Sequence, residues 1–543
     1  MKKTVIFVLF FWSSFSLGFA QSIHINSLGF LTDGPKTAAI PKSCTSFQLV
    51  SVSSGEIVFE GNATGPIFQE DVNQEVWRID FSDFQEPGEY ILKVPGIGQS
   101  HEFTIATDAF NFAAKTSMRA FYLWRCGMAV DGEFGGNHYH QEACHLNDAY
   151  EDYIGDKGSK RDGTGGWHDA GDHGKYVVNA GITMGVLFYA WDHFHAELEK
   201  MDLDIPETAP GFPDFLQELK WETDWVLKMQ YPDGSGRVSH KLTRKNFSGF
   251  IMASDDHAKR YFTEWSSAAT ADFVAIMAMA ARHFKPYDAA YAKKCLDAAW
   301  VSYRFLQKNT EHKRFDQGKF STGGYQSKDA DDRLWAAAEL WETTGDESCL
   351  ADFEKRAAAI NYEILENWDW QNVSNLGMYT YALSLRKEKN AETASSIKKN
   401  IIANADALVE KGETDVYGRT LGGRYYWGCN GTVARQTVNL QVAHLLQPDP
   451  KYKNTANGIL DHIFGKNYYN RSYVTGLGIN PPMRPHDRRS GADKIDAPWP
   501  GYLVGGGHSA TDWVDEQASY SKNEIAINWQ AALVYALAGF VQY

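Results

Sequence analysis

Near Asp108 the spacing of apolar residues in this chain changes from two to between three and four, and it keeps the longer period to the end. Before that point, Ser46–Val52, Glu75–Phe81 and Glu89–Val94 alternate apolar and polar residues, and Pro87-Gly88 marks a turn. Alternation buries one face of a strand, so residues 21–106 are expected to fold as a small immunoglobulin-sized β-sandwich. Beyond it, apolar residues recur at helical spacing over Phe212–Met229, Ala268–Phe284, Tyr291–Gln307, Asp332–Thr344, Ala434–Leu446 and Glu524–Val541. Evenly spaced helices with no alternating strands between them predict one large all-α domain over residues 107–543. No short exact repeat is visible, which argues against a solenoid. The join carries no Pro/Ser linker, so the two units are expected to pack together.

The first twenty residues read as a secretory signal: Lys2 and Lys3, then the apolar run Val5–Trp12, then Gly18-Phe19-Ala20. The mature chain is expected to begin near Gln21 and to be secreted or periplasmic. That run is too short to span a bilayer and no later stretch is long enough, so no membrane span is expected. Net charge is −15, from 53 basic and 68 acidic residues. Such a balance makes a poor nucleic-acid binder and suits a neutral or cationic ligand. Aromatic residues make up 14% of the chain; flat rings serve sugar sites, and they serve cores equally. Six widely scattered cysteines do not form a disulfide scaffold.

Chemistry concentrates in Gly165–Tyr176, where Asp169 and Asp172 stand three residues apart beside Trp167, Gly171 and Gly174. Helix-compatible spacing puts both acids on one side, and glycine lets the backbone approach a ligand. Paired carboxylates in that setting suit acid–base hydrolysis of a sugar bond. An isolated Asp-x-x-Asp would instead read as a solvated turn or a calcium loop. Ser521-x-x-Glu524 has the form of a capping box opening the last helix. A helix N-terminus lowers a carboxyl pKa, whereas a general acid must keep its proton. Burial, or a like charge such as Asp172, would have to overcome that. His486 and Arg488 can donate to sugar hydroxyls, or belong to a surface charge cluster. Cys126, Cys144, His145 and His168 make a tetrahedral zinc set; the rival is a Cys126–Cys144 disulfide. A further reading is a zinc metallohydrolase with His168, Asp172 and His173 as an open site.

Taken together, these segments resemble glycoside hydrolase family 9 over nearly the whole mature chain. Trp167–Asp172 is similar to the family's Asp-Ala-Gly-Asp motif. Ser472–Asn480 followed by Pro485–Arg488 is similar to its His-Arg signature, and Tyr520 with Asn523–Trp529 to its C-terminal acid signature. Lys220–Gln230 and Leu334–Leu340 look like its helices, and His24–Phe30 like the immunoglobulin-like module preceding many members. The resemblance implies an (α/α)6 barrel with an open cleft and an inverting endo-β-1,4-glucanase, acting on cellulose, mixed-linkage glucan or xyloglucan. It implies Asp172 as general base, Asp169 as its partner in holding water, and Glu524 as general acid. His486, Arg488, Trp335 and Tyr520 would bind the glycan, a polysaccharide or oligosaccharide. A structural zinc would sit on Cys126, Cys144, His145 and His168. Members often bind calcium too, but Ala268-Ala269-Thr270-Ala271-Asp272 departs from the usual Ala-Ala-Glu-Thr-Ala run. Nothing like a carbohydrate-binding module follows the last helix, and a monomer is expected. Alternatives are an exo-β-glucosaminidase trimming chitosan oligosaccharides and a non-catalytic glycan-binding protein.

Overall fold

The computed structural model describes residues 23–153 and 157–543; the signal segment lies outside them. Residues Thr37–Ile105 form two antiparallel sheets. One pairs Thr37–Ile40 with Gln74–Asp80 and the latter with Thr64–Gln69. The other runs Ile57–Asn62, Ser46–Ser51, Gly88–Val94, Gly98–Gln99, with Phe103–Ile105 also against Gly88–Val94. Between the sheets pack Phe30, Phe47, Leu49, Ile79, Phe81, Leu92 and Phe103, all buried. Phe47, Leu49, Ile79, Phe81 and Leu92 are the inward positions of the alternating runs.

The rest is a double ring of helices. The inner ring is α2 (Val177–Leu198), α4 (Ser267–Phe284), α6 (Ala330–Thr344), α8 (Ser374–Leu383), α10 (Cys429–Leu446) and α13 (Ile527–Ala538), each packed on the next and α13 on α2. Around them lie α1 (Asn111–Leu123), α3 (Asp214–Met229), α5 (Ala289–Lys308), α7 (Glu347–Ala359), α9 (Ala391–Thr414) and α11 (Pro450–Ile463). A four-residue turn, α12 (Tyr520–Asn523), precedes α13. Inner helices are covered on every side, and α4 is buried at nearly every position. Outer helices bury one stripe: in α5 it is Tyr291, Cys295, Ala299, Ser302 and Leu306, three or four residues apart. Alternation of all-round and one-sided burial closes the (α/α)6 barrel.

Strands also occur in the helical region, contrary to the expectation. Val130–Phe134 and Asn137–Gln141 form a hairpin. Lys175–Tyr176, Lys241–Arg244 and Arg260–Phe262 form a small antiparallel sheet. These runs are too short to leave a period, and pairing partners up to 67 residues apart define them. The two units do pack together. Asn26 Nδ2 and Lys466 Nζ both donate to buried Asp461, at 3.0 and 3.1 Å, and Lys466 also reaches Thr37 Oγ1 at 2.6 Å. The Ser27 amide donates to the Phe464 carbonyl at 2.9 Å.

Candidate active site

The segments leading into five inner helices line one open cavity of about 880 Å³: Asp169–Tyr176 before α2, Gly323–Tyr325 before α6, Asn367–Asn372 before α8, Tyr426–Gly428 before α10 and Glu524–Asn528 into α13. Inner-helix N-termini thus converge on the cavity, and their dipoles favour negative charge there.

Asp169 and Asp172 sit on an extended turn, not on a helix. Main-chain bonds tie this turn to the C-terminal acid segment: Ala170 bridges Ala526, and the Ile527 amide donates to the Asp169 carbonyl at 2.9 Å. His486 bridges Glu524 on the other side, its amide donating to Asn523 at 2.8 Å. Arg488 donates from Nη1 to the Gly171 carbonyl at 2.7 Å. A Cβ on Gly171 would lie 2.0 Å from the His486 carbonyl oxygen, so only glycine lets the strands meet. In this way Asp169, Asp172, Glu524, His486 and Arg488 come together.

Each acid is held differently. Asp169 takes hydrogen bonds from Asn179 Nδ2 at 2.8 Å and the Tyr325 hydroxyl at 2.7 Å. Burial first, then the charge of Asp172, pushes its pKa up to about 8. Asp172 accepts from the Gly174 amide at 3.0 Å and the Tyr176 hydroxyl at 3.1 Å. Glu524 does not cap the last helix: α13 begins at Ile527 with Ala526 as N-cap, and Glu524 is extended. It therefore makes no capping hydrogen bond to α13. Burial, then the charges of Asp172 and Asp169, hold it well above the usual glutamate value. His486 Nδ1 faces the Gln517 carbonyl at 2.7 Å. A carbonyl can only accept, so Nδ1 carries the proton and Nε2 of the neutral ring is an acceptor. In that tautomer His486 would accept a hydrogen bond from a sugar hydroxyl rather than donate one.

Tyr520 is 55% exposed and stands edge-on to Trp427, 47% exposed, at 5.4 Å between ring centroids. Trp335 does not reach the cavity. It is 0% exposed within α6, donates from Nε1 to Glu339 at 3.1 Å, and lies where Cβ atoms on Gly185 or Gly377 would collide with it. Its helical spacing marked it correctly as a barrel helix residue, and the inner ring turns that face into the core. Sequence reasoning missed Asn179, Tyr176, Tyr325, Trp370, Trp427 and Trp529. Tyr176, Asn179 and Trp529 lie within ten residues of an acid, whereas Tyr325, Trp370 and Trp427 come from distant segments.

The four metal-ligand candidates also converge. Cys126 Sγ lies 3.6 Å from His145 Nδ1, Cys144 Sγ 3.8 Å from His168 Nε2, and His168 Nε2 3.3 Å from His145 Nδ1. A tetrahedral ion with bonds of about 2.3 Å to sulfur and 2.0–2.1 Å to nitrogen spaces its ligands by about 3.3–3.8 Å. All six cysteines are free thiols, so there is no Cys126–Cys144 disulfide. Two thiols and two imidazoles in that arrangement fit a closed, four-ligand metal site. His168 is taken up in it, while His173 Nδ1 faces Asp256 at 3.5 Å and Asp172 faces Tyr176, so the open metallohydrolase set does not assemble.

Residues 110–537 match glycosyl hydrolase family 9, and residues 19–99 match the cellulase N-terminal ig-like domain. Endoglucanase D of Acetivibrio thermocellus is 56% identical over 97% of this chain and 84% of its own length. A xyloglucan-specific endo-beta-1,4-glucanase of Bacteroides ovatus is 31% identical over 95% of this chain and 92% of its own. Among solved structures, a metagenome-derived glycoside hydrolase family 9 endoglucanase superposes with a TM-score of 0.88 at 32% identity, covering 96% of this chain and 99% of that one. With its barrel, its ig-like module and its clustered acids, the chain belongs to glycosyl hydrolase family 9.

Proposed function

We propose that the protein is an inverting endo-β-1,4-glucanase. The observation that carries this reading is the meeting of Glu524 with Asp169 and Asp172 at one open, aromatic-lined cavity. Glu524, held protonated by burial and neighbouring charge, is the general acid for the leaving oxygen. Asp172 is the general base for water on the opposite face of the sugar, with Asp169 beside it. His486, Arg488, Trp427 and Tyr520 bind the glycan around the scissile bond. The name of the similar Endoglucanase D supports internal cleavage, as does a cavity open at its mouth. An exo-acting glucosaminidase has no observation in its favour here.

Cys126, Cys144, His145 and His168 hold zinc in this reading. Four protein ligands leave no place for a catalytic water, so the metal clamps the chain that carries Asp169. Export as a monomer completes the proposal; among the described residues no helix is long and apolar enough to cross a membrane.

The test is a substrate panel. Carboxymethylcellulose, mixed-linkage glucan or xyloglucan should lose viscosity faster than reducing ends accumulate, and NMR should show the α-anomer first. Release of monomer with viscosity intact would replace the endo reading, and first appearance of β-anomer would replace inversion.

A further inference from the structure

The two oxygens of Asp172 have unequal surroundings. Oδ2 receives the Gly174 amide and the Tyr176 hydroxyl, at 3.0 and 3.1 Å. Among the described residues no hydrogen bond reaches Oδ1. The Tyr176 oxygen itself accepts the Gly323 amide at 3.1 Å. A phenol that accepts a main-chain N–H has its one hydrogen left to donate, and Oδ2 is the acceptor in reach. Burial, and then the charge of Asp172, keep that phenol protonated far above its usual range.

Gly323 is fixed in turn. Its carbonyl accepts Lys241 Nζ at 2.7 Å, and the same nitrogen reaches Thr322 Oγ1 at 3.1 Å and Gln317 Oε1 at 3.2 Å. Lys241 is 0% exposed, and among the described residues no carboxylate forms an ion pair with it. Burial pulls its pKa down to about 7 and the charge of Asp172 opposes that, so the amine is held at a cost by contacts that also fix Gly323. Tyr176 and Lys241 are register partners in the small sheet, so one pair of strands carries both ends of the relay. We propose that Tyr176, steadied by Gly323 and Lys241, is a positioning residue for the base. It occupies Oδ2 of Asp172 and so reserves Oδ1 for the attacking water. This rests on Asp172 being that base.

Tyr176→Phe removes one oxygen and leaves the ring against Tyr325. It should lower kcat by about 10- to 100-fold, the cost of a displaced reacting group, with KM for a cello-oligosaccharide little changed. The acidic limb of kcat/KM should move to higher pH, because the anionic form loses a donor. In an Asp172→Asn background the same change should cost nothing further, since its effect passes through that carboxylate. Lys241→Gln probes the relay from its far end and should shift the same limb in the same direction. Wild-type kcat and an unmoved limb in Tyr176→Phe would overturn the proposal, as would a full additional loss in the Asp172→Asn background. Full activity of Asp172→Asn alone is a separate result: it would remove the base assignment and the relay with it.

Discussion

Glu524 illustrates how a single side chain trades stability for reactivity. Its proton is retained because the charged form would be buried beside Asp172 and Asp169, and Arg488 only partly offsets that. Between the unfolded glutamate pKa of about 4.3 and the raised folded value, the native state binds more protons than the unfolded chain. Stability from this group is therefore present at low pH and lost as pH rises through the folded pKa. Several buried histidines, His24 at about 4 and His240 and His462 at about 3, act in the opposite sense. They bind fewer protons when folded, so they add stability as pH rises, but only up to about 6.5. Glu524→Gln should thus abolish most turnover of an unactivated glucan, by about 10²–10⁴-fold. It should also raise Tm, and the gain over wild type should grow above neutral pH. Calorimetry at pH 5, 7 and 8 checks this; a gain that shrinks with pH would contradict the assigned protonation state.

At the scale of elements, the segment from Cys126 to His168 shows how a metal can support a site it does not touch. The His168 amide donates to the Trp124 carbonyl at 2.9 Å, the Cys126 amide donates to Gly166 at 2.8 Å, and Asp169 follows immediately. A metal on the four ligands would tie the end of α1 to the turn that carries the acids. About one zinc per chain should therefore be found by elemental analysis. Cys144→Ala should lower Tm and metal content together while leaving the pH optimum of the residual activity in place. A shifted pH profile with unchanged metal content would point to a different role for these ligands. Trp335 carries the lesson in reverse: on an inner helix even a tryptophan serves the core.

For the whole molecule, the decisive feature is how closely sandwich and barrel are joined. Lys466 and Asp461 are both buried at the contact, with Asn26 and Thr37 from the sandwich completing their hydrogen bonds. Lys466→Met would leave Asp461 buried without its partner, a loss of about 3–5 kcal/mol for pairs of this kind. Because the pair bridges both units, they should still melt in one transition, at a lower temperature. Two separated transitions in the wild-type protein would show that the units fold independently and that the contact contributes little.

Local sequence determined a great deal here. Apolar periodicity placed six of the helices to within a few residues, and alternation placed three strands of the sandwich. The Asp-Ala-Gly-Asp segment and the two-thiol, two-imidazole set were visible because each element of chemistry has a recognisable side-chain inventory. The tertiary structure alone brought Glu524 across about 350 residues to Asp172. It released Glu524 from the apparent capping box, set the tautomer of His486 through a carbonyl 31 residues away, and buried Trp335. It also brought Tyr325, Trp370 and Trp427 to the cavity. The physical reason is the same in each case. Periodicity and turn chemistry act between near neighbours in the chain, whereas desolvation, charge–charge interaction and hydrogen-bond partnership depend on neighbours in space, which exist only once the ring of helices has closed.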